Sequence, residues 1–349
     1  MATNYMMGVA DERIMNFDHT FRWTDTDKAI LEKLQAWLPD KIFDAHCHLT
    51  HTDWYPKGYS IIPAYGTSDA KRTLADQKEL YGNRKFRALL LATPAPMFTN
   101  DVPMRNEMNK WMNQQMEDAP DCVGTIYVMS RDTKEEIEAM ITHPNIRGFK
   151  CYHQSAITEG ETWYATVDQY LPEAAWEVAN ERGMSITIQM VRPDALSDEK
   201  NLNYFIEKTA QYPNAKLILA HCARSFATWT NLEPLKKTRG IPNLYYDMGA
   251  ITDPAGIAYL IKMAGADHVM WATDYSIDRA HGKAINCGES FNWIYEHDLP
   301  ESVHFNLAKT CLEALLAFYQ ASLMIDMSRE DIEKVFYYTA CNLYGLKDE

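Results

Sequence analysis

One feature constrains this chain more than any other: eight short apolar segments of strand length recur along it, with helix-like stretches between them. The strand-like segments fall at 41–49, 86–92, 123–129, 146–152, 184–191, 216–222, 243–248 and 268–273. Helix-like patterns occupy 101–117, 133–142, 167–182, 199–212, 227–237 and 254–264, each long enough for a right-handed crossover. Strands joined in that way run parallel, and eight is the number that closes a (β/α)8 TIM barrel.

The barrel accounts for about residues 41–275. A leader helix precedes it from Thr26, with Ile30, Leu31, Leu34, Trp37 and Leu38 at helical spacing before Pro39. After the eighth strand, a mixed stretch over 275–300 leads to an apolar helix over 305–324. A start of capping-box type, Ser328-Arg-Glu-Asp331, then opens a last helix carrying Ile332, Val335, Phe336 and Leu343. No linker interrupts this order, so the expectation is one domain over 1–349, with residues 276–349 as a C-terminal helical extension.

Charge excludes one class of partner. Forty-eight acidic residues against 34 basic ones give −14, the wrong sign for binding phosphate backbones, and there is no basic tract. No apolar run approaches the ~20 residues of a membrane span, and no basic, apolar leader opens the sequence. The seven cysteines are odd in number and never spaced C-x-x-C, which reads as reduced thiols in a cytoplasmic protein. Neither G-x-x-x-x-G-K-[ST] nor G-x-G-x-x-G occurs, so no nucleotide cofactor is expected.

Chemistry concentrates where the strands end. Asp44-Ala-His46-Cys-His48 places imidazoles at i and i+2 on the first strand, where alternation turns both to one face. In an α/β barrel the reactive groups sit at the carboxyl ends of strands. Lys150, His221 and Asp274 close the fourth, sixth and eighth strand segments. Arg192, Arg224 and Arg279 follow strands five, six and eight, and their guanidinium groups suit bidentate contact with a carboxylate, which suggests a small carboxylated substrate. The first loop adds His51, Trp54, Tyr55, Tyr59 and Tyr65 as aromatic surface over such a ligand. Loop salt bridges and loop packing are the structural alternative for both sets. Cys47, Cys151 and Cys222 alternate to the helix-facing side, and Met104, Met108, Met112 and Met116 form a core stripe.

An H-x-H on the first strand, a histidine on the sixth and an aspartate on the eighth resemble the amidohydrolase superfamily, in the amidohydrolase 2 branch that includes aminocarboxymuconate-semialdehyde decarboxylase. His143-Pro-Asn-Ile-Arg-Gly-Phe-Lys150 and the closing Glu333-Lys-Val-Phe-Tyr-Tyr-Thr-Ala-Cys-Asn-Leu-Tyr-Gly345 carry the likeness across 41–346. The resemblance implies that His46, His48 and Asp274 ligate a divalent ion, Zn or Mn. It places His221 beside the substrate as base, electrophile or second-metal ligand. Where the family's fifth strand ends in a ligating histidine, this chain has Gln189, a weaker and harder donor. Lys150 is either a carboxylated bridge between two metals or, the reading favoured here, an ammonium that orients an anionic substrate. His153 could substitute as a ligand, but the favoured reading is a solvent-facing loop histidine.

The function so implied is a metal-dependent hydrolase that cleaves an amide, lactone or related C–N or C–O bond of a small carboxylated compound with metal-activated water, Asp274 and His221 handling protons and charge. Nonoxidative decarboxylation is the alternative, and a barrel that only binds a ligand is a third. The apolar helix, with Leu307, Cys311, Leu315 and Phe318, suggests a homodimer or higher homo-oligomer.

Overall fold

A computed structural model of the chain describes residues 21–55, 64–93, 101–287, 290–300, 302 and 306–348. Eight strands, β1 (Lys41–Leu49), β2 (Lys85–Ala92), β3 (Val123–Tyr127), β4 (Ile146–Cys151), β5 (Ser185–Ile188), β6 (Lys216–Leu219), β7 (Leu244–Asp247) and β8 (Val269–Met270), pair in sequence order. Every neighbouring pair is parallel. The sheet closes on itself through Ala45 N to Trp271 O at 2.9 Å, Asp274 N to His46 O at 3.0 Å and His48 N to Tyr275 O at 2.7 Å. This is the expected (β/α)8 barrel, and the leader helix is present at Asp25–Leu34 with Thr24 as its cap.

Two layers of core hold it. Between strands and helices lies the larger one, which includes Cys47, Cys151 and the stripe Met108, Met112 and Met116. Inside the barrel, Phe43, Ala45, Leu89, Leu91, Ile218, Met270 and Ala272 pack with Tyr337, Ala340, Leu343 and Tyr344 of the closing helices. Tyr344 stacks on Phe43 at 6.0 Å and bonds Ser185 Oγ at 2.9 Å, both near the amino ends of their strands. The C-terminal segment therefore plugs the bottom of the barrel, and the free end is the mouth at the strands' carboxyl ends.

The structure departs from the sequence reading in three places. A helix over Ala70–Tyr81, capped by Asp69, crosses from β1 to β2 where the mixed composition AKRTLADQKELY hid the apolar face. The C-terminal extension opens with an antiparallel pair, β9 (Gly282–Cys287) and β10 (Ser290–Tyr295), and becomes helical from Thr310. The apolar helix Thr310–Met324 buries Cys311, Leu315 and Phe318 in its own chain's core, so those residues offer no face to a partner. No helix among the described residues is long and apolar enough to cross a membrane.

Candidate metal centre and substrate site

The first strand delivers its histidines through an irregularity. Asp44 pairs with Ala88 and Cys47 with Leu90, so three steps along β1 match two along β2. Phe43 and Ala45 face the barrel interior, and unbroken alternation would turn residues 46 and 48 outward. The extra residue resets the phase, so that His46 and His48 join Phe43 and Ala45 inside. Asp44 stabilises the irregular stretch: its Oδ1 accepts from His46 N at 3.1 Å and Thr273 N at 3.0 Å, and its Oδ2 from Thr273 Oγ1 at 2.6 Å.

Three atoms converge at the mouth. His46 Nε2 lies 3.1 Å from His48 Nε2, and Asp274 Oδ1 lies 3.4 Å from each. All three residues are buried. Ligands on a tetrahedral ion with bonds of about 2.0–2.1 Å stand about 3.3–3.4 Å apart, so this triangle has the size of a metal's ligand face. Among the described residues the buried Asp274 Oδ1 has no hydrogen-bond partner, which a bound cation would supply. His46, His48 and Asp274 form a group that can hold a metal ion.

The imidazoles are held from behind. His46 Nδ1 is 2.9 Å from Asp247 Oδ2, and His48 Nδ1 is 2.5 Å from Thr93 Oγ1. Burial pushes the His46 imidazole down to about 3, with the neighbouring Lys150 charge adding to the effect and Asp247 opposing it. Burial lowers His48 as well. Burial thus favours the neutral form of both rings, the form a metal binds. Burial would raise the Asp274 carboxyl, but the surrounding histidines hold it below the usual carboxylate range.

His221 does not stand on the sixth strand. β6 stops at Leu219, and His221, Cys222, Ala223 and Arg224 all take left-handed backbone angles, with φ of 57°, 51°, 58° and 62°. Such a turn costs roughly 1–2 kcal/mol per L-residue. It places the His221 ring 4.8 Å from the His46 ring, with Nδ1 bonded to the Gly249 carbonyl at 2.8 Å and Nε2 making no hydrogen bond among the described residues. Asp247 Oδ1 takes the His221 amide at 3.0 Å. Cys222 is buried in this turn, and strand alternation does not apply to it.

Of the remaining expected residues, Lys150 lies deepest. Its Nζ is 3.4 Å from His46 Nε2 and 5.2 Å from the Tyr152 ring centre, with no exposure. Burial lowers it to about 8, against the pull of Asp247 and Asp274. Gln189 sits just past β5, half-buried, with its carbonyl accepting from Tyr170 Oη at 3.0 Å; the structure gives its side chain no bond to His46, His48 or Asp274. Arg192 is 3.1 Å from Asp198 Oδ2, a loop ion pair. Arg279 is fully buried against Asp278 and the Tyr275 ring, away from the mouth, because the loop after β8 turns behind the barrel wall under the helix at Thr310. Arg279 therefore does not join the expected convergence of three arginines, while Arg224 lies beside Arg192. It spends one donor on the Arg192 carbonyl at 3.3 Å and lies 5.3 Å from the Phe291 ring.

The aromatic surface also differs from expectation. Trp54 packs on Trp111 at 5.3 Å and His51 at 5.4 Å, while Tyr65 bonds Asp76 on the barrel's outside. Tyr59 lies outside the described residues. His153, expected in solvent, is buried beside Trp163 at 4.1 Å with Nδ1 bonded to Thr162 Oγ1 at 3.0 Å, because the segment after β4 folds back over it. The aromatic contact with His221 comes from Phe226, just past β6, at 5.3 Å, and Phe226 packs on Phe291 at 4.9 Å and Trp293 at 5.6 Å in β10. Three site residues escaped the sequence reading: Thr93, Tyr152, whose hydroxyl is 3.5 Å from His48 Nε2, and Asp247. Each ends or follows a barrel strand, the same rule that singled out Lys150 and His221.

The model of the amidohydrolase family matches residues 43–346. Among solved structures, 2,6-dihydroxybenzoate decarboxylase from Rhizobium is 12% identical with a TM-score of 0.56, over 88% of this chain and 99% of that one. A 5-carboxyvanillate decarboxylase from Novosphingobium aromaticivorans, complexed with manganese and 4-hydroxy-3-methoxy-5-nitrobenzoic acid, is 13% identical at a TM-score of 0.54, over 88% and 96%. An amidohydrolase from Burkholderia multivorans with bound HEPES is 10% identical at 0.59, over 88% and 100%. No curated protein matches.

Proposed function

The chain belongs to the amidohydrolase family, and from that premise we propose that it is a divalent-metal enzyme that removes CO₂ without oxidation from a small carboxylated compound. The observation that carries the choice of reaction is the aromatic surround of the buried His221: Phe226 packs on its ring, and Phe291 and Trp293 pack on Phe226, which would leave a bound carboxylate little water. A carboxylate loses its hydration on entering such a site, and the departing CO₂ carries no charge, so a dry environment favours the products. Two structurally similar proteins are decarboxylases of hydroxylated benzoates, which supports this reading.

His46, His48 and Asp274 would hold the ion, two imidazoles and a carboxylate being a donor set that suits Mn or Zn. When bound, a divalent cation supplies Lewis-acid polarisation of the substrate oxygens. Arg224 anchors a substrate carboxylate with the donors the fold leaves free. Lys150 adds a buried positive charge beside the same centre. His221, fixed through Nδ1, presents Nε2 to the reacting carbon: the C–C bond breaks, CO₂ leaves, and the carbon takes its proton from the protonated imidazole.

Hydrolysis is the second reading, favoured by the buried Asp274 carboxyl, held low by the surrounding histidines, which could ligate through one oxygen and accept a proton from attacking water with the other. Product analysis separates the two. CO₂ released without solvent oxygen in the product supports decarboxylation; incorporation of one ¹⁸O from labelled water, with no CO₂, refutes it in favour of hydrolysis. Assembly as a homodimer belongs to the same reading, supported by the exposed pair Leu323 and Met324, and light scattering at micromolar concentration tests it.

A further inference from the structure

Asp247 makes more contacts than any ligand set requires. Fully buried at the end of β7, it places Oδ2 2.9 Å from His46 Nδ1, while Oδ1 accepts from His221 N and Gly249 N, each at 3.0 Å. The Gly249 carbonyl in turn takes His221 Nδ1 at 2.8 Å. Gly249 is confined to this corner: a Cβ there would stand 3.2 Å from both Asp247 Oδ1 and His221 Nδ1. One carboxylate thus ties the ring of His46 to the backbone of the left-handed turn that carries His221.

We propose that Asp247 is a positioning residue that keeps the His46 proton on Nδ1, leaving the Nε2 lone pair for a metal, and that pins the turn through the His221 amide. A carboxylate bonded to the far nitrogen of a ligating histidine fixes its tautomer and orientation. The inference rests on the metal-holding role given to His46, His48 and Asp274. Another use of the same atoms is a second cation between His46, His221 and Asp247, which also lie close enough together. The contacts argue against it: Nδ1 to Oδ2 is at hydrogen-bond length, and Oδ1 already accepts two amides.

Asp247→Asn in the full chain tests the idea. Its Oδ1 can still accept both backbone amides, but its NH₂ then faces His46 Nδ1, which must become an acceptor and move the ring proton to Nε2. Titration of Mn²⁺ into metal-free protein should show one site per chain in both forms, with affinity about 10–100-fold lower in the variant. Imidazole ¹⁵N spectra of metal-free wild type should place the His46 proton on Nδ1, and this measurement decides the matter even where the variant fails to fold. Unchanged affinity, an Nε2–H tautomer in the wild type, or two ions per wild-type chain falling to one in the variant would overturn the inference. A wild type that binds no Mn²⁺ refutes the metal role instead, and the tautomer measurement still judges Asp247.

Discussion

Replacing Arg224 by Met separates a residue kept for a ligand from one kept for the fold. Among the described residues no carboxylate pairs with this guanidinium; it bonds the Arg192 carbonyl at 3.3 Å, and its central carbon lies 5.3 Å from the Phe291 ring centre. Burial pulls it down to about 10, so the folded protein holds a cation at some cost. Methionine keeps the apolar stem and removes the charge without leaving an acid unpaired. The lost bond, about 1.5–3 kcal/mol at most for a charged donor, is offset by the relieved desolvation, so unfolding free energy should change by less than about 1 kcal/mol. Loss of a fork holding a substrate carboxylate should remove about 3 kcal/mol of binding, or roughly 10²-fold in kcat/KM. Urea unfolding reads the first quantity. Steady-state kinetics on any carboxylate that is turned over, with benzoate as a competitive probe, read the second. A variant destabilised by more than about 3 kcal/mol with kcat/KM intact would show that Arg224 serves the fold and refute the reasoning.

Three other outcomes are expected. Burial holds His153 at about 4 against an ordinary value of 6.5, so the fold prefers its neutral form; its contribution is complete above pH 6.5 and is lost as pH falls towards 4, by about 3 kcal/mol. His153→Gln should flatten the pH dependence of urea midpoints in that window, and an unchanged slope would assign the acid sensitivity elsewhere. Arg105 pairs with Asp132 inside the protein, so Arg105→Met should destabilise by about 3–5 kcal/mol, and adding Asp132→Asn should recover most of it; additive losses in the double variant would mean that the pair is not coupled. Chelation should lower the thermal midpoint and Mn²⁺ should restore it, by about 2.7 kcal/mol of stability at 100 times Kd, whereas a midpoint indifferent to both would contradict the metal-holding role.

The barrel was legible because its signal is redundant: eight apolar segments each announce themselves, and every expected strand overlaps an observed one. The helix Ala70–Tyr81 was not, since Ala70, Thr73, Gln77, Leu80 and Tyr81 make a buried face from residues that read as polar or small. The antiparallel pair was hidden likewise in a mixed stretch that carries no helical or alternating period. His46, His48, His221 and Asp274 were found by residue type and strand position, and the fold brings them together. Arg279 was misplaced because position after a strand says nothing about which way a loop turns: it is buried against Asp278 and Tyr275, while Arg192 pairs with Asp198 and Arg224 lies by Phe291.

What sequence spacing conceals is where the backbone leaves its regular path, and here those departures coincide with the chemistry. The irregularity in β1 turns His46 and His48 inward, a left-handed turn carries His221 and Arg224, and Asp274 itself has φ of 66°. A regular barrel would aim position 46 at the surrounding helices and continue β6 through position 221. Left-handed angles at non-glycine residues persist only where the surroundings over-determine them. At the turn those surroundings are identifiable: Asp247 takes the His221 amide, the Gly249 carbonyl takes its ring, and Asn231 Nδ2 bonds the Cys222 carbonyl at 2.5 Å. Asp44 does the same for β1 and ties it to Thr273, one residue before Asp274. Two buried carboxylates, Asp44 and Asp247, thereby set the backbone of the residues assigned to the metal and the substrate, and the barrel's stability is drawn on to keep unfavourable conformations at the one place where aim matters.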